Sequence, residues 1–154
     1  MTDGVRLGVD VGTVRIGVAA SDPEGILAFP VETVQTGPGD AQRVAQIANE
    51  RNATRVFVGL PRTLAGAEGT SAELATAFAT RLAELTSADV RLIDERFSTT
   101  TATRALHSAG RSAKRQRQVI DQAAAVVILE NGLDIDRQGN LGTVTKGIPQ
   151  RGEA

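Results

Sequence analysis

Three acids stand where a carboxylate can do chemistry: Asp10, Glu95 and Asp121. Asp10 lies in Leu7-Gly8-Val9-Asp10-Val11-Gly12. Strand alternation puts Leu7, Val9 and Val11 on one face of that run and Gly8, Asp10 and Gly12 on the other. Flanked on its own face by two glycines, the carboxylate has no neighbouring side chain to shield it, and a metal ion or phosphodiester can approach closely. The plainer account is an Asp capping a turn whose glycines serve only its geometry; we carry the first forward. Glu95 follows the strand-like residues 90–94. Alternation sets it opposite Asp94, so only one of the pair can face a site, and from spacing alone a solvated Asp-Glu-Arg ion pair is as good an account. Asp121 begins an apolar helical stretch, on the same stripe as Ala124, Ala125 and Ile128. Desolvating a carboxylate there is costly unless something compensates. Either the dipole at a helix start does so, or the acid reaches over a sheet to complete a metal site.

Three carboxylates in one place repel, and one would tend to keep its proton. A hard dication resolves this by binding through oxygen while retaining waters. Two such ions, roughly 3.5–4 Å apart, can activate a water and stabilise the leaving oxygen of a phosphodiester. Composition points the same way. Cysteine is absent and His107 is the only histidine, which excludes thiol nucleophiles, disulfides and Cys/His zinc sites and leaves little for a Ser-His-Asp triad. His107 itself reads as a surface helix residue.

The formal net charge is −1, so no strong overall attraction to a polyanion is expected. Its distribution is uneven: residues 97–120 contain no acid but carry Arg104, Arg111, Lys114, Arg115 and Arg117. That stretch can grip a nucleic-acid backbone or be a solvated basic face. The loop Gly59-Leu-Pro-Arg-Thr-Leu-Ala-Gly66 can offer backbone amides and Arg62 to a phosphate, or be an ordinary connection. All four aromatics are Phe, which argues against a base-stacking platform and for recognition through shape and backbone.

These residues need a scaffold. At 154 residues, with 41% hydrophobic and 23% charged, one soluble domain is expected. No secretory signal pattern is visible, and the longest apolar run, residues 123–129, is too short to span a bilayer; a cytoplasmic protein is the default. Residues 6–10, 15–21 and 26–34 read as an antiparallel meander, with Pro30 requiring an edge or a bulge. Asp40 is the expected N-cap of a helix carrying Val44, Ile47, Ala48 and Arg51 on one stripe. Residues 55–60 and 90–94 read as buried strands separated by a helix from the capping pattern Thr70-Ser-Ala-Glu73 to about Leu85. Helices are expected over 99–109, closed by Gly110, and over 119–133. The order predicts an α/β fold: a five-stranded mixed sheet, three strands antiparallel and two parallel, flanked by helices, with ligands at the carboxyl ends of the parallel strands. Residues 1–133 form the expected domain and 134–154 a disordered tail.

Gly8-Val-Asp-Val-Gly-Thr-Val-Arg-Ile-Gly-Val18, Ser21-Asp-Pro-Glu-Gly25, Val58-Gly-Leu-Pro61, Asp94-Glu-Arg96 and Ile120-Asp-Gln-Ala-Ala-Ala125 occur in the order seen in the YqgF/RuvX family. The chain resembles that family, described both as Holliday-junction resolvases and as pre-16S rRNA nucleases, over about residues 5 to 133. The resemblance implies an RNase H-like fold and carries over Asp10, Glu95 and Asp121 as catalytic acids holding Mg²⁺ or Mn²⁺. It implies a nuclease acting on pre-rRNA or branched DNA, with a homodimer expected for a resolvase. Arg15 and Arg96, inside the matching motifs, join Arg62, Arg111, Lys114, Arg115 and Arg117 as expected nucleic-acid contacts. Val14, Thr63 and Ala65 depart from the family pattern, and Ala124 stands where related resolvases have a second acid.

Two other readings compete. Asp10-Val-Gly-Thr13 resembles the first phosphate loop of actin-like kinases and ATPases, but the second lobe and adenosine site those proteins need have no counterpart here. A catalytically weak RNase H-like scaffold working through protein contacts is the non-enzymatic alternative.

Overall fold

The computed structural model describes residues 4–60, 70–94, 113–139 and 145–149. Three strands come first: β1 (Val5–Val11), β2 (Arg15–Ser21) and β3 (Ala28–Gln35). They are followed by α1 (Asp40–Glu50), β4 (Ala53–Leu60), α2 (Thr70–Ala83), β5 (Asp89–Asp94), α3 (Ala113–Arg137) and the short β6 (Thr145–Gly147). The order across the sheet is β3-β2-β1-β4-β5-β6. β1 is antiparallel to β2 and β2 to β3, whereas β4 runs parallel to β1 and β5 parallel to β4. This is the expected five-stranded mixed core, extended by an antiparallel sixth strand.

The alternation read in β1 holds. Leu7 and Val9 join Ile16, Val18, Val56, Val58, Val90 and Leu92 in a core closed by α1 and α2. The other face, with Ala19, Phe57 and Ile93, packs against Ala125, Ile128, Leu129 and Leu133 of α3. Each fully buried Leu or Phe contributes about 1.5–3 kcal/mol through the water it sheds. Pro30 satisfies both of its conditions: β3 is the outer strand, and the register slips between Val18 and Ala19, which pair with Glu32 and Pro30. A residue that cannot donate a ladder hydrogen bond is tolerated there.

Three boundaries differ from the sequence reading. Gly39, in the left-handed region at φ 86°, caps α1, and Asp40 is its first residue. The Asp40 carboxylate instead accepts from the Gly37 and Ala41 amides and pairs with Arg81. Arg51 closes α1 with its guanidinium 5.9 Å from the Phe29 ring, so it serves as a cap and a ring contact. Ordered structure also continues past residue 133: α3 runs to Arg137 and Thr145–Gly147 pairs with β5. Polar contacts hold this extension, with Asp136 accepting from Arg55 at 2.9 Å and Thr145 from Arg91 at 3.2 Å. The expected helix over 99–109 lies outside the described residues.

Candidate active site

α3 runs antiparallel to β1. Leu133 approaches Gly25 and Arg6 where β1 begins, Ala125 and Leu129 press on Gly8, and Gln122 reaches Thr33. A Cβ at Gly8 would lie 2.5 Å from the Ala125 carbonyl oxygen and 2.7 Å from the Leu129 Cβ. Gly8 therefore lets the helix lie directly on the strand; it does not open the carboxylate to solvent. A Cβ at Gly12 would meet the Arg15 carbonyl oxygen at 2.6 Å, and the Gly12 amide donates to that same oxygen at 2.9 Å. The plainer account was right for Gly12, which serves the turn. Thr36, just past the end of β3, pins that turn by donating its hydroxyl to the Gly12 carbonyl and its amide to the Val14 carbonyl.

Asp10 is half-buried near the carboxyl end of β1. Its lateral neighbours on the sheet, like those on its own face along the strand, are glycines. It pairs with Gly17 on β2, and Gly59 follows the last matched pair, Val9 with Val58, on β4. Gly17 in turn pairs with Thr33, and Gly59 with Ile93. Thr33, Gly17, Asp10, Gly59 and Ile93 thus form one row across the sheet, on the face that α3 covers. The sequence reading gives Gly17 no role of its own and sets Gly59 at the start of a loop, whereas Gly59 lies inside β4; an isolated glycine inside an apolar strand signals close approach by another element.

Ile93 lies on the Asp10 face, so Asp94, the next residue along β5, lies on the opposite one. This settles half of the Asp94–Glu95 question; Glu95 lies outside the described residues. Position 121 stands on α3 one turn before Ala125, hence toward the carboxyl end of β1, though its side chain is not among those described. Among the described residues no three His, Cys, Asp or Glu side chains form a metal cluster. Arg15 opens β2, two residues before Gly17 and on the Asp10 face. Lys114, Arg115 and Arg117 occupy the first turns of α3, at the same end of the sheet, while Arg62, Arg96 and Arg111 lie outside the described residues.

Burial alone would raise the Asp89 carboxyl, but hydrogen bonds from Arg91 at 2.7 Å and Arg55 at 2.9 Å outweigh it and hold it below the usual carboxylate range. Glu32 is lowered chiefly by its two-pronged hydrogen bond from Arg43.

A mixed sheet in this order, with a helix pair on one face and a long helix on the other, defines an RNase H-like fold. The fold matches the structure of T. thermophilus RuvC in complex with a Holliday junction substrate at a TM-score of 0.55, with 16% sequence identity, over 94% of this chain and 99% of that one. Residues 4–135 match the RuvX family model, described as Holliday junction resolvase, and the chain belongs to that family. A relative from Thermobifida fusca, named "Putative pre-16S rRNA nuclease", is 50% identical over 159 residues, covering 97% of this chain and all of the relative. One of the same name from Rhodococcus jostii is 55% identical over 138 residues, covering 85% of this chain and 78% of the relative.

Proposed function

We propose that this chain is a metal-dependent endonuclease that hydrolyses phosphodiester bonds in structured nucleic acid, with the 5′ end of pre-16S rRNA as its substrate. Asp10, Glu95 and Asp121 would be the metal-holding acids. The observation that carries this reading is the packing of α3 on Gly8, which brings position 121 toward the strand end bearing Asp10. Membership of the RuvX family and the name borne by the 50% identical relative support it.

The donors fit a hard dication. They are carboxylates, in a chain without cysteine and with one histidine. When bound, Mg²⁺ or Mn²⁺ supplies activation of water and neutralisation of charge on the phosphodiester. The chain's own residues do the rest. Glu95, one residue beyond Asp94, would return to the Asp10 face by strand alternation. Arg15, on that face, would orient a phosphate beside Asp10, and Arg62 and Arg96 would serve the same backbone. Arg111, Lys114, Arg115 and Arg117 would hold the flanking strand through charge, which makes binding salt-dependent.

The test is cleavage of precursor rRNA and a four-way DNA junction side by side, with Mg²⁺, with Mn²⁺ and with chelator. Precursor rRNA should be cut faster, chelator should abolish cleavage, and Asp10→Asn should lower the rate by at least ~10²-fold. Equal rates for Asp10→Asn and the parent protein would overturn the acid site. Faster junction cleavage, with a dimer in sedimentation, would move the substrate to branched DNA.

A further inference from the structure

Among the described side chains of α3, Ala124, Ala125, Ile128, Leu129 and Leu133 form a buried stripe. Gln122 precedes that stripe and is only half-buried. Its amide nitrogen donates to the Thr33 hydroxyl at 2.8 Å, across to the outermost strand. Thr33 is in register with Gly17, and Gly17 with Asp10. The contact therefore fastens the helix to the same cross-sheet row that carries the acid, two strands away.

Helical geometry gives this a consequence. Successive residues turn about 100° around the axis, so position 121 falls about 40° from Ala125, which faces Gly8 on β1, and about 100° from Gln122, which faces β3. Gln122 grips the edge strand, and position 121, next to it, falls on the side of the helix that carries Ala125. Apolar packing of Ala124 and the residues after it holds the later turns, but hydrophobic contact is non-directional and sets no fine azimuth. A hydrogen bond between two side chains does.

We propose that Gln122 is a positioning residue: its bond to Thr33 sets where the first half of α3 lies over the sheet, and so where Asp121 stands relative to Asp10. This rests on the acid site described under the proposed function. Groups that orient metal ligands from outside typically change metal affinity about 10–100-fold when removed. Because Gln122 acts through the helix, the lower end of that range is expected.

The experiment is Mn²⁺ titration followed by electron paramagnetic resonance on the full chain, with unfolding midpoints recorded for every variant. Asp121→Asn serves as the control for the site. Gln122→Ala and Thr33→Val should each weaken Mn²⁺ binding about 10-fold, and the double variant should be no weaker than either alone. Thr33→Ser keeps the acceptor and should bind as the parent does; this rescue separates the hydroxyl from mere bulk. If Asp121→Asn weakens binding while Gln122→Ala and Thr33→Val do not, the positioning role is overturned and the site stands. Additive losses in the double variant also overturn it. If Asp121→Asn leaves Mn²⁺ affinity unchanged, the acid site itself fails, and the role of Gln122 with it.

Discussion

Where the parallel strands begin, carboxylates and guanidiniums are matched to each other. Asp89 sits between Arg55 and Arg91, Asp136 meets Arg55, and Asp134 meets Arg137. Where those strands end, Asp10 stands between Gly17 and Gly59, and the long helix passes over the sheet toward it. The two ends surround their acids differently. Charge at the first is internally compensated and ties α3, β4 and β5 together. At the second, side chains have been removed around a carboxylate so that another element can come close. The acids at the two ends thus differ in what flanks them, a distinction that charge counts miss.

Substitutions can break that contrast. The largest stability effect is expected from Gly8→Ala, whose Cβ would collide with the backbone oxygen of Ala125. Overpacking of this kind costs about 1–3 kcal/mol, and urea unfolding should show the loss together with weakened Mn²⁺ binding as α3 is lifted. Next comes Asp89→Asn, which removes the charge from a partly exposed pair of ion pairs and should cost about 1 kcal/mol. Its pH dependence sharpens the point. The folded-state pKa of Asp89 is lowered, so its contribution is fully present above the ordinary carboxylate value of about 3.9 and is lost as pH falls through the lower folded value. In acid titrations Asp89→Asn should decline less steeply over that window. At the other end, Asp10→Asn keeps the size of the side chain and should cost less stability than Gly8→Ala while lowering nuclease activity by at least ~10²-fold. A metal-free Asp10→Asn protein that unfolds as easily as Gly8→Ala would erase the distinction between the two ends.

The scaffold was largely legible because strand alternation and helical spacing are local. Residues 6–10, 15–21, 55–60 and 90–94 fall inside observed strands, and Pro30 announced its edge and its bulge. The site was legible only in part. Asp10 could be singled out, but the glycines credited with exposing it, Gly8 and Gly12, serve helix packing and a turn. The lateral glycines, Gly17 and Gly59, belong to other strands: each stands out as an isolated glycine in an apolar run, but only the pairing register places it in the row of Asp10. Gln122 was hidden for a related reason: a polar residue beside an acid gives no hint of a hydroxyl on a distant strand. The boundary at residue 133 was misplaced because a three-residue strand is too short to carry periodicity, and the ion pair at Asp136 depends on Arg55, far back in the chain.

That last stretch has a practical consequence for anyone shortening the protein. β6 hydrogen-bonds along β5, and the Ile148 amide adds a bond to Val90 at 2.8 Å. A version cut at residue 133 would bare the rim of β5, a row of donors and acceptors able to recruit a strand from another molecule. Such a fragment should precipitate or form ladders of copies in concentrated solution, and loss of catalysis in it would report self-association instead of chemistry.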